Sequence, residues 1–328
     1  MLEETARPNE YRFSHALVQE TLLDEVRTSE RVRLHGRIAD ALERLHGDRA
    51  VDYAAEIARH FAESATLSGE HGRRALHYSS LAAEQAEAQF AWDEAARHYE
   101  DCLAMLSEGG TRPGGDEAAL HEHDDLRDGD EAALCEAVGR CEMLAGQYDA
   151  GWRNLRQAIA LFRERGDGIG EARAVLLIPG FGIPTAEEVV RVVDAALDSL
   201  GAGAPHLRAR LLAARASTEL DGDQEAADEA VVLATAHGFD DVLATLLHHQ
   251  AQRSFGHLPT GETGRLTRQA HAALVDAGAP REAAWALVWA VLASLLGGRL
   301  DETETQALEA ASYAHEVGSF DYEQQFLW

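Results

Sequence analysis

Apolar residues recur along this chain mainly at the spacing of three to four residues that is typical of amphipathic helices. The first stretch with this spacing contains Leu17, Leu22, Leu23 and Val26 and follows the short segment Tyr11, Arg12 and Phe13. The second stretch follows a break at Thr28 and Ser29 and contains Leu34, Ile38, Ala41, Leu42 and Leu45. Residues 51–63 predict a third helix. Alternation of period two does not exceed the helical signal anywhere, so we predict an all-α chain with at most a small strand near Tyr11.

The stretch from 74 to 106 resembles a tetratricopeptide repeat, in which two antiparallel helices form a hairpin. Ala83 and Ala86 occupy positions where the first helix needs a close approach to its partner. Small and aromatic residues that would pack against them in the second helix are Ala95, Tyr99 and Cys102, and Trp92 is expected to join this core from the helix start. Repeat character resumes at Ala132, with Gly139 at the small position of the next hairpin.

Glycines recur at intervals of 35, 37, 40 and 40 residues and predict where successive hairpins end. These glycines are Gly166, Gly201, Gly238, Gly278 and Gly318. Turns within the hairpins are predicted at 179–184, 221–223, 256–261 and 297–299. Helix caps are predicted where an oxygen-bearing side chain precedes Glu or Gln by three residues. The pairs are Thr185 with Glu188, Asp221 with Gln224, and Asp301 with Glu304.

The N-terminal stretch resembles the end of the winged-helix subdomain in STAND-class signalling ATPases, including large bacterial regulators of the LuxR type. The residues that carry the resemblance are Phe13, His15, Leu17, Glu20, Arg31, Leu34, His35, Ala39, Ala41, Leu42 and Glu43. The resemblance implies that an ATPase core precedes this point and that helical repeats follow it. It also implies that His15 contacts the phosphates of bound ADP in the intact protein, although Ala16 replaces the Asp of the more familiar motif.

These patterns divide the chain of 328 residues into four parts. Residues 1–45 are assigned to the end of the winged-helix subdomain, and 46–109 to the first tetratricopeptide-like hairpins. Residues 110–131 form an acidic, Gly-rich loop, and 132–328 form a tetratricopeptide-like solenoid, a right-handed superhelix. No polar capping helix is visible at the end of the solenoid, so the chain is expected to be part of a longer protein.

Charge and composition exclude several kinds of chemistry. The chain has 57 acidic and 29 basic residues, a formal net charge of -28, and no lysine. Without lysine it can hold neither a phosphate-binding loop of the Gly-x-x-x-x-Gly-Lys type nor a Schiff base. Such acidity also disfavours direct binding to nucleic acid, whose affinity comes largely from Lys and Arg contacts to phosphate. Any ATP or ADP would therefore be bound by another part of the intact protein, and no cofactor is expected here.

Several residues were weighed as candidate sites. Cys102, Cys135 and Cys141 lack metal-binding or disulfide spacing and predict small buried residues in a reducing cytoplasm. The 121–124 stretch can ligate a metal but is more typical of a solvated loop, and the apolar 179–184 loop can contact a ligand or simply join two helices. Arg31 and His35 share a helix face, as do Trp285 and Trp289, for which core packing is favoured over a partner site. We predict no catalytic residue and no metal site.

The leading hypothesis is a non-catalytic sensor segment of a bacterial STAND-type transcriptional regulator. In this hypothesis the concave face of the superhelix binds a small-molecule inducer or a protein partner and couples it to the nucleotide switch. The first alternative is the regulatory solenoid of an adenylate cyclase or kinase, and the second is a free-standing interaction scaffold. The sequence shows no signal peptide, and its longest apolar run, 283–296, is too short to span a bilayer, so we expect a cytoplasmic location.

Overall fold

The computed structural model describes residues 2–4, 11–13, 26–108, 131–178, 184–201, 203–218 and 223–319. In these parts the chain is almost entirely helical, which confirms the predicted all-α class. The helices, numbered α1 to α14 in chain order, are Thr28–His46, Ala54–Glu63, Gly69–Ala88, Trp92–Glu108, Glu131–Leu144, Tyr148–Glu164, Gly168–Val175, Ala186–Leu200, Pro205–Ser217, Gln224–His237, Asp240–Arg253, Thr260–Asp276, Pro280–Leu296 and Leu300–Glu316. Short 3-10 turns at Gly47–Tyr53 and Ala65–Leu67 separate the first three helices.

The glycines predicted to end the hairpins do so in the structure. All five have positive φ, between 60 and 73°, a conformation that costs glycine little and other residues more. They are Gly166, Gly201, Gly238, Gly278 and Gly318. Gly238 follows α10, and its amide donates to the carbonyl of Ala234, which satisfies one of the last carbonyl groups of the helix.

One of the three predicted caps is confirmed and two are wrong. Thr185 and Glu188 form a reciprocal capping box at the start of α8. Helix α10 is capped by Asp223, whose carboxylate accepts from the amide of Ala226, and not by the predicted Asp221, which lies outside the described residues. Helix α14 begins at Leu300, so Asp301 lies inside its first turn. A carboxylate at this position interacts favourably with the helix dipole but does not cap the helix.

Each helix packs against its neighbours in sequence, and the core runs along the array as a series of clusters. The predicted small and aromatic residues of the first hairpin, Ala83, Tyr99 and Cys102, are each 0% exposed and share one cluster. Gly139 permits a close approach of α5 and α6, because a Cβ there would lie 2.9 Å from the backbone nitrogen of Leu155. Small residues thus set the spacing between helices.

The expected position of Trp92 in the core of the first hairpin is wrong. Its indole nitrogen instead donates to the carbonyl of Gly318, 2.9 Å away, at the end of α14. Phe90, in the turn before Trp92, has a φ of 58° and packs against the same glycine. The turn between α3 and α4 therefore contacts the far end of the described array.

At the N-terminus, Leu2–Glu4 and Tyr11–Phe13 pair as two short antiparallel strands, with Leu2 opposite Phe13. Helix α1 buries Ala39 against Ile57 and Phe61 of α2. The apolar stripe predicted to face a core is only partly buried, however, because Leu34, Ile38 and Leu45 are 39, 40 and 76% exposed. Within the described residues, no helix combines the length and the apolar character needed to cross a membrane.

Candidate ligand cavity

Alternate helices of the array surround a cavity of about 670 Å³. Most of its lining comes from α5, α7, α9, α11 and α13, which are the first helices of successive hairpins, and we call the surface that they form around the cavity the inner face. The second helices contribute little, with Tyr148 from α6 and Val189 and Val193 from α8. Because each hairpin contributes one or two turns of one helix, the cavity wall combines residues that are far apart in sequence.

One side of the cavity is apolar. Met143 and Leu144 end α5, the Val175–Ile178 segment ends α7, and Val189 and Val193 face them from α8. These side chains are continuous with the largest core cluster, which contains Val175, Val189 and Val193. An apolar wall of this kind favours the hydrophobic part of a ligand.

The opposite side of the cavity is polar and is organised by the amide of Gln252 on α11. We assign this amide with its oxygen toward three donors, at 2.8 Å from Nε1 of Trp289, 3.1 Å from Nε1 of Trp285 and 3.1 Å from Nε2 of His248. The assignment follows from chemistry, because an indole N–H can only donate and therefore requires the oxygen rather than the NH₂ group. A single acceptor therefore fixes two indole rings and one imidazole.

The two tryptophans lie one turn apart on α13, with ring centroids 5.9 Å apart and nearly perpendicular planes. Both are half-buried and both line the cavity. The prediction that they pack in the core is therefore only partly right, because Trp285 contacts the cluster of Ala284 and Ala314 while also facing the cavity. Helical spacing alone indicated a shared face but not which surface that face lines.

His248 is buried, at 3% exposure, and takes part in the Gln252 network as a donor. Donation from Nε2 leaves Nδ1 unprotonated in the neutral ring, and this buried atom has no partner among the described residues. Burial lowers the pKa of His248 to about 4, because the charged imidazolium would lose its hydration. At neutral pH His248 is therefore an uncharged ring with a free acceptor.

The neighbouring His249 has the same character. Burial lowers its pKa to about 3, with further lowering from His248 and from the positive charge of Arg253. Its Nδ1 is likewise buried without a partner among the described residues. Two adjacent imidazoles that line the cavity thus each keep one buried ring nitrogen without a partner among the described residues, and burying such atoms unpaired is unfavourable.

Arginines supply the charge of the inner face. Arg140 is bound on both guanidinium nitrogens by Glu87, at 2.6 and 3.1 Å, so its charge is compensated. Arg210 and Arg253 are half-buried, and neither forms an ion pair with a carboxylate in the described part of the chain. Arg253 donates to the carbonyl of Ala216 at 3.2 Å, which holds its side chain across from α11 to α9.

The sites considered from the sequence have other locations. His15, the 121–124 stretch and all of the 179–184 loop except Pro184 lie outside the described residues. Arg31 is exposed, whereas His35 turns inward and places its Nδ1 3.0 Å from Nδ1 of His60. The three cysteines are buried and unbridged, as predicted. Across the described ranges no group of His, Cys, Asp and Glu has the arrangement of a metal site.

The sequence analysis singled out Trp285 and Trp289 but missed the residues of α11 that organise the cavity with them. The sequence signal for these residues is the run from His248 to Arg253. Polar residues of this run line the cavity together with Val242 and Thr245, which lie earlier on the same helix. The hairpins of the array are otherwise regular. A helix face that mixes polar with apolar residues therefore indicates that this face lines something other than a core.

No protein-family model matches the sequence, and curated proteins give no significant match. The STAND-class resemblance therefore stays a prediction that rests on the residues quoted for it. The case for function depends on the geometry of the cavity.

Proposed function

We propose that this chain is a non-catalytic sensor segment that binds a small-molecule inducer in the cavity of its inner face. The observation that carries the proposal is the cavity itself, about 670 Å³, with one apolar side and a few converging polar groups. Ligand pockets commonly have volumes of about 300–1,000 Å³ and this distribution of apolar and polar lining. The indoles of Trp285 and Trp289, which line the cavity and are held by Gln252, support the same function.

We further propose that the array is a tetratricopeptide-like right-handed superhelix attached to a winged-helix end, as the resemblance implies. In the intact protein the cavity would couple an inducer to an ATP/ADP switch, with His15 as the phosphate-contacting residue. The consecutive helical pairs and the glycines that end each hairpin support the repeat assignment. A bacterial transcriptional regulator is the parent that we favour.

A thermal-shift screen with the full chain tests this function, using a library of metabolites that spans sugars, amino acids, organic acids, nucleosides and lipids. A ligand that binds only the folded state raises the melting temperature, and the stabilisation grows with the logarithm of its concentration over its Kd. Ala214 lines the cavity, so Ala214→Phe would fill it, whereas Ala236→Phe on the exposed side of α10 is a matched control.

The expected result is that at least one compound stabilises the unmodified chain and the Ala236→Phe variant but not the Ala214→Phe variant. Silence from every chemical class, or equal stabilisation of the cavity-filled variant, would show that the cavity is not the binding site. The protein-partner alternative would then be preferred.

A further inference from the structure

We infer that the cavity takes a small organic anion: a carboxylate on a flat apolar body. This inference rests on the proposed function, and it assigns a ligand class to the same site. The groups that carry it are Arg210 and Arg253 for the carboxylate, and Trp285 and Trp289 for the body.

The charge of the cavity differs from that of the chain. With 57 acidic and 29 basic residues overall, a random patch would be acidic. The lining instead contains four arginines, of which Arg140 is compensated by Glu87, and one acidic residue, Glu282, which is exposed. An anion entering here would therefore meet local positive charge although the protein as a whole repels it.

Within the described residues, Arg210 and Arg253 also have no carboxylate partner, which half-buried arginines usually have. Elsewhere in the array, arginines that approach the core are held by carboxylates, as Arg140 is by Glu87 and Arg215 is by Asp194. A guanidinium that is partly removed from water without such a partner is unfavourable, and a ligand carboxylate would supply the partner with matching planar geometry.

The tryptophans make a flat body preferable to a flexible chain. The indole N–H groups of both rings are bound to Gln252, so the rings are held in place before any ligand binds. Fixed aromatic rings favour planar partners, which lose little conformational entropy on binding.

The test uses titration calorimetry of the full chain with two matched probes, 2-naphthoate and its neutral amide. We expect the acid to bind about tenfold more tightly than the amide, since the amide carries no charge for the guanidinium groups and forms weaker hydrogen bonds with them. The preference for acid over amide should fall as salt is raised.

Variants assign the preference to residues. Arg210→Met and Arg253→Met should each remove most of the advantage of acid over amide, whereas Arg156→Met, at an exposed position on α6, should retain it. Two arginine variants are used because loss of the Arg253 bond to Ala216 can also disturb packing, and circular dichroism checks that each variant is folded.

The outcomes separate the two proposals. If acid and amide bind equally, and Ala214→Phe prevents both, the cavity is a ligand site but the inference of an anion is wrong. If no probe binds at millimolar concentration, the inference is overturned, while the proposed function is decided by the library screen. An acid preference that survives in both arginine variants would also overturn it.

Discussion

Protonation of His248 should make the folded chain less stable in mild acid. Its pKa is lowered to about 4 in the folded protein by burial, against 6.5 for an exposed histidine, so the unfolded chain binds the proton first as the pH falls. Stability is therefore lost as the pH falls below about 6.5, and the loss is complete near the folded pKa. From the gap between the two pKa values, His248 alone accounts for about 2 kcal/mol between pH 7 and pH 5.

Urea unfolding, followed by tryptophan fluorescence, measures this effect at pH 7 and at pH 5. Other groups also titrate in this range, so the decisive quantity is the difference between the unmodified chain and His248→Gln, which keeps a donor for Gln252 but cannot be protonated. The unmodified chain should lose about 2 kcal/mol more than this variant. His257→Gln is the matched control, because His257 is exposed, and it should behave as the unmodified chain does. Equal losses in the unmodified chain and His248→Gln would refute the reasoning.

Three further predictions concern stability and are measured by thermal and urea unfolding. Gly238→Ala should lower the free energy of unfolding by about 1 kcal/mol, because the φ of Gly238 is +73°. Gly72→Ala, inside α3 with open space around it, should raise the free energy of unfolding by up to about 1 kcal/mol. Equal effects of the two variants would contradict the conformational explanation. Gly139→Ala should cost about 1–3 kcal/mol because its Cβ would meet the neighbouring helix, and no loss would show that the two helices separate freely. Arg163→Met should lower the free energy of unfolding by about 3 kcal/mol, because it leaves the fully buried carboxylate of Glu171 unpaired. Adding Glu171→Gln to the same chain should restore most of this stability. A double variant no more stable than the single one would contradict the explanation.

The hairpins could be predicted from the sequence because their signals are local. A glycine at the end of a helix adopts positive φ regardless of what lies further along the chain, so Gly166 and Gly278 marked hairpin ends correctly. The capping box of Thr185 and Glu188 likewise involves only one turn. The misplaced cap at Asp301 shows the limit of this approach, because the same pattern also fits a residue already inside the helix.

Contacts between distant residues could not be predicted in this way. Trp92 has a conventional helix-start position, but its hydrogen-bond partner is Gly318, 226 residues later. Similarly, the apolar spacing of α1 correctly predicted a helix, while the exposure of Leu45 depends on which surfaces surround that helix. A periodic pattern specifies a face and leaves open what that face contacts.

The cavity illustrates the same limit at the level of function, because its polar network is built across a repeat boundary. Gln252 ends the first helix of one hairpin, while Trp285 and Trp289 lie on the first helix of the next. The pattern within either helix does not indicate this network. Only the packing of α11 beside α13 brings the acceptor on Gln252 together with the indole donors. A ligand seated on this network would contact both hairpins, so its binding energy would favour one relative position of the two. Displacement of one hairpin relative to the next is therefore the motion through which this cavity would transmit a signal along the array.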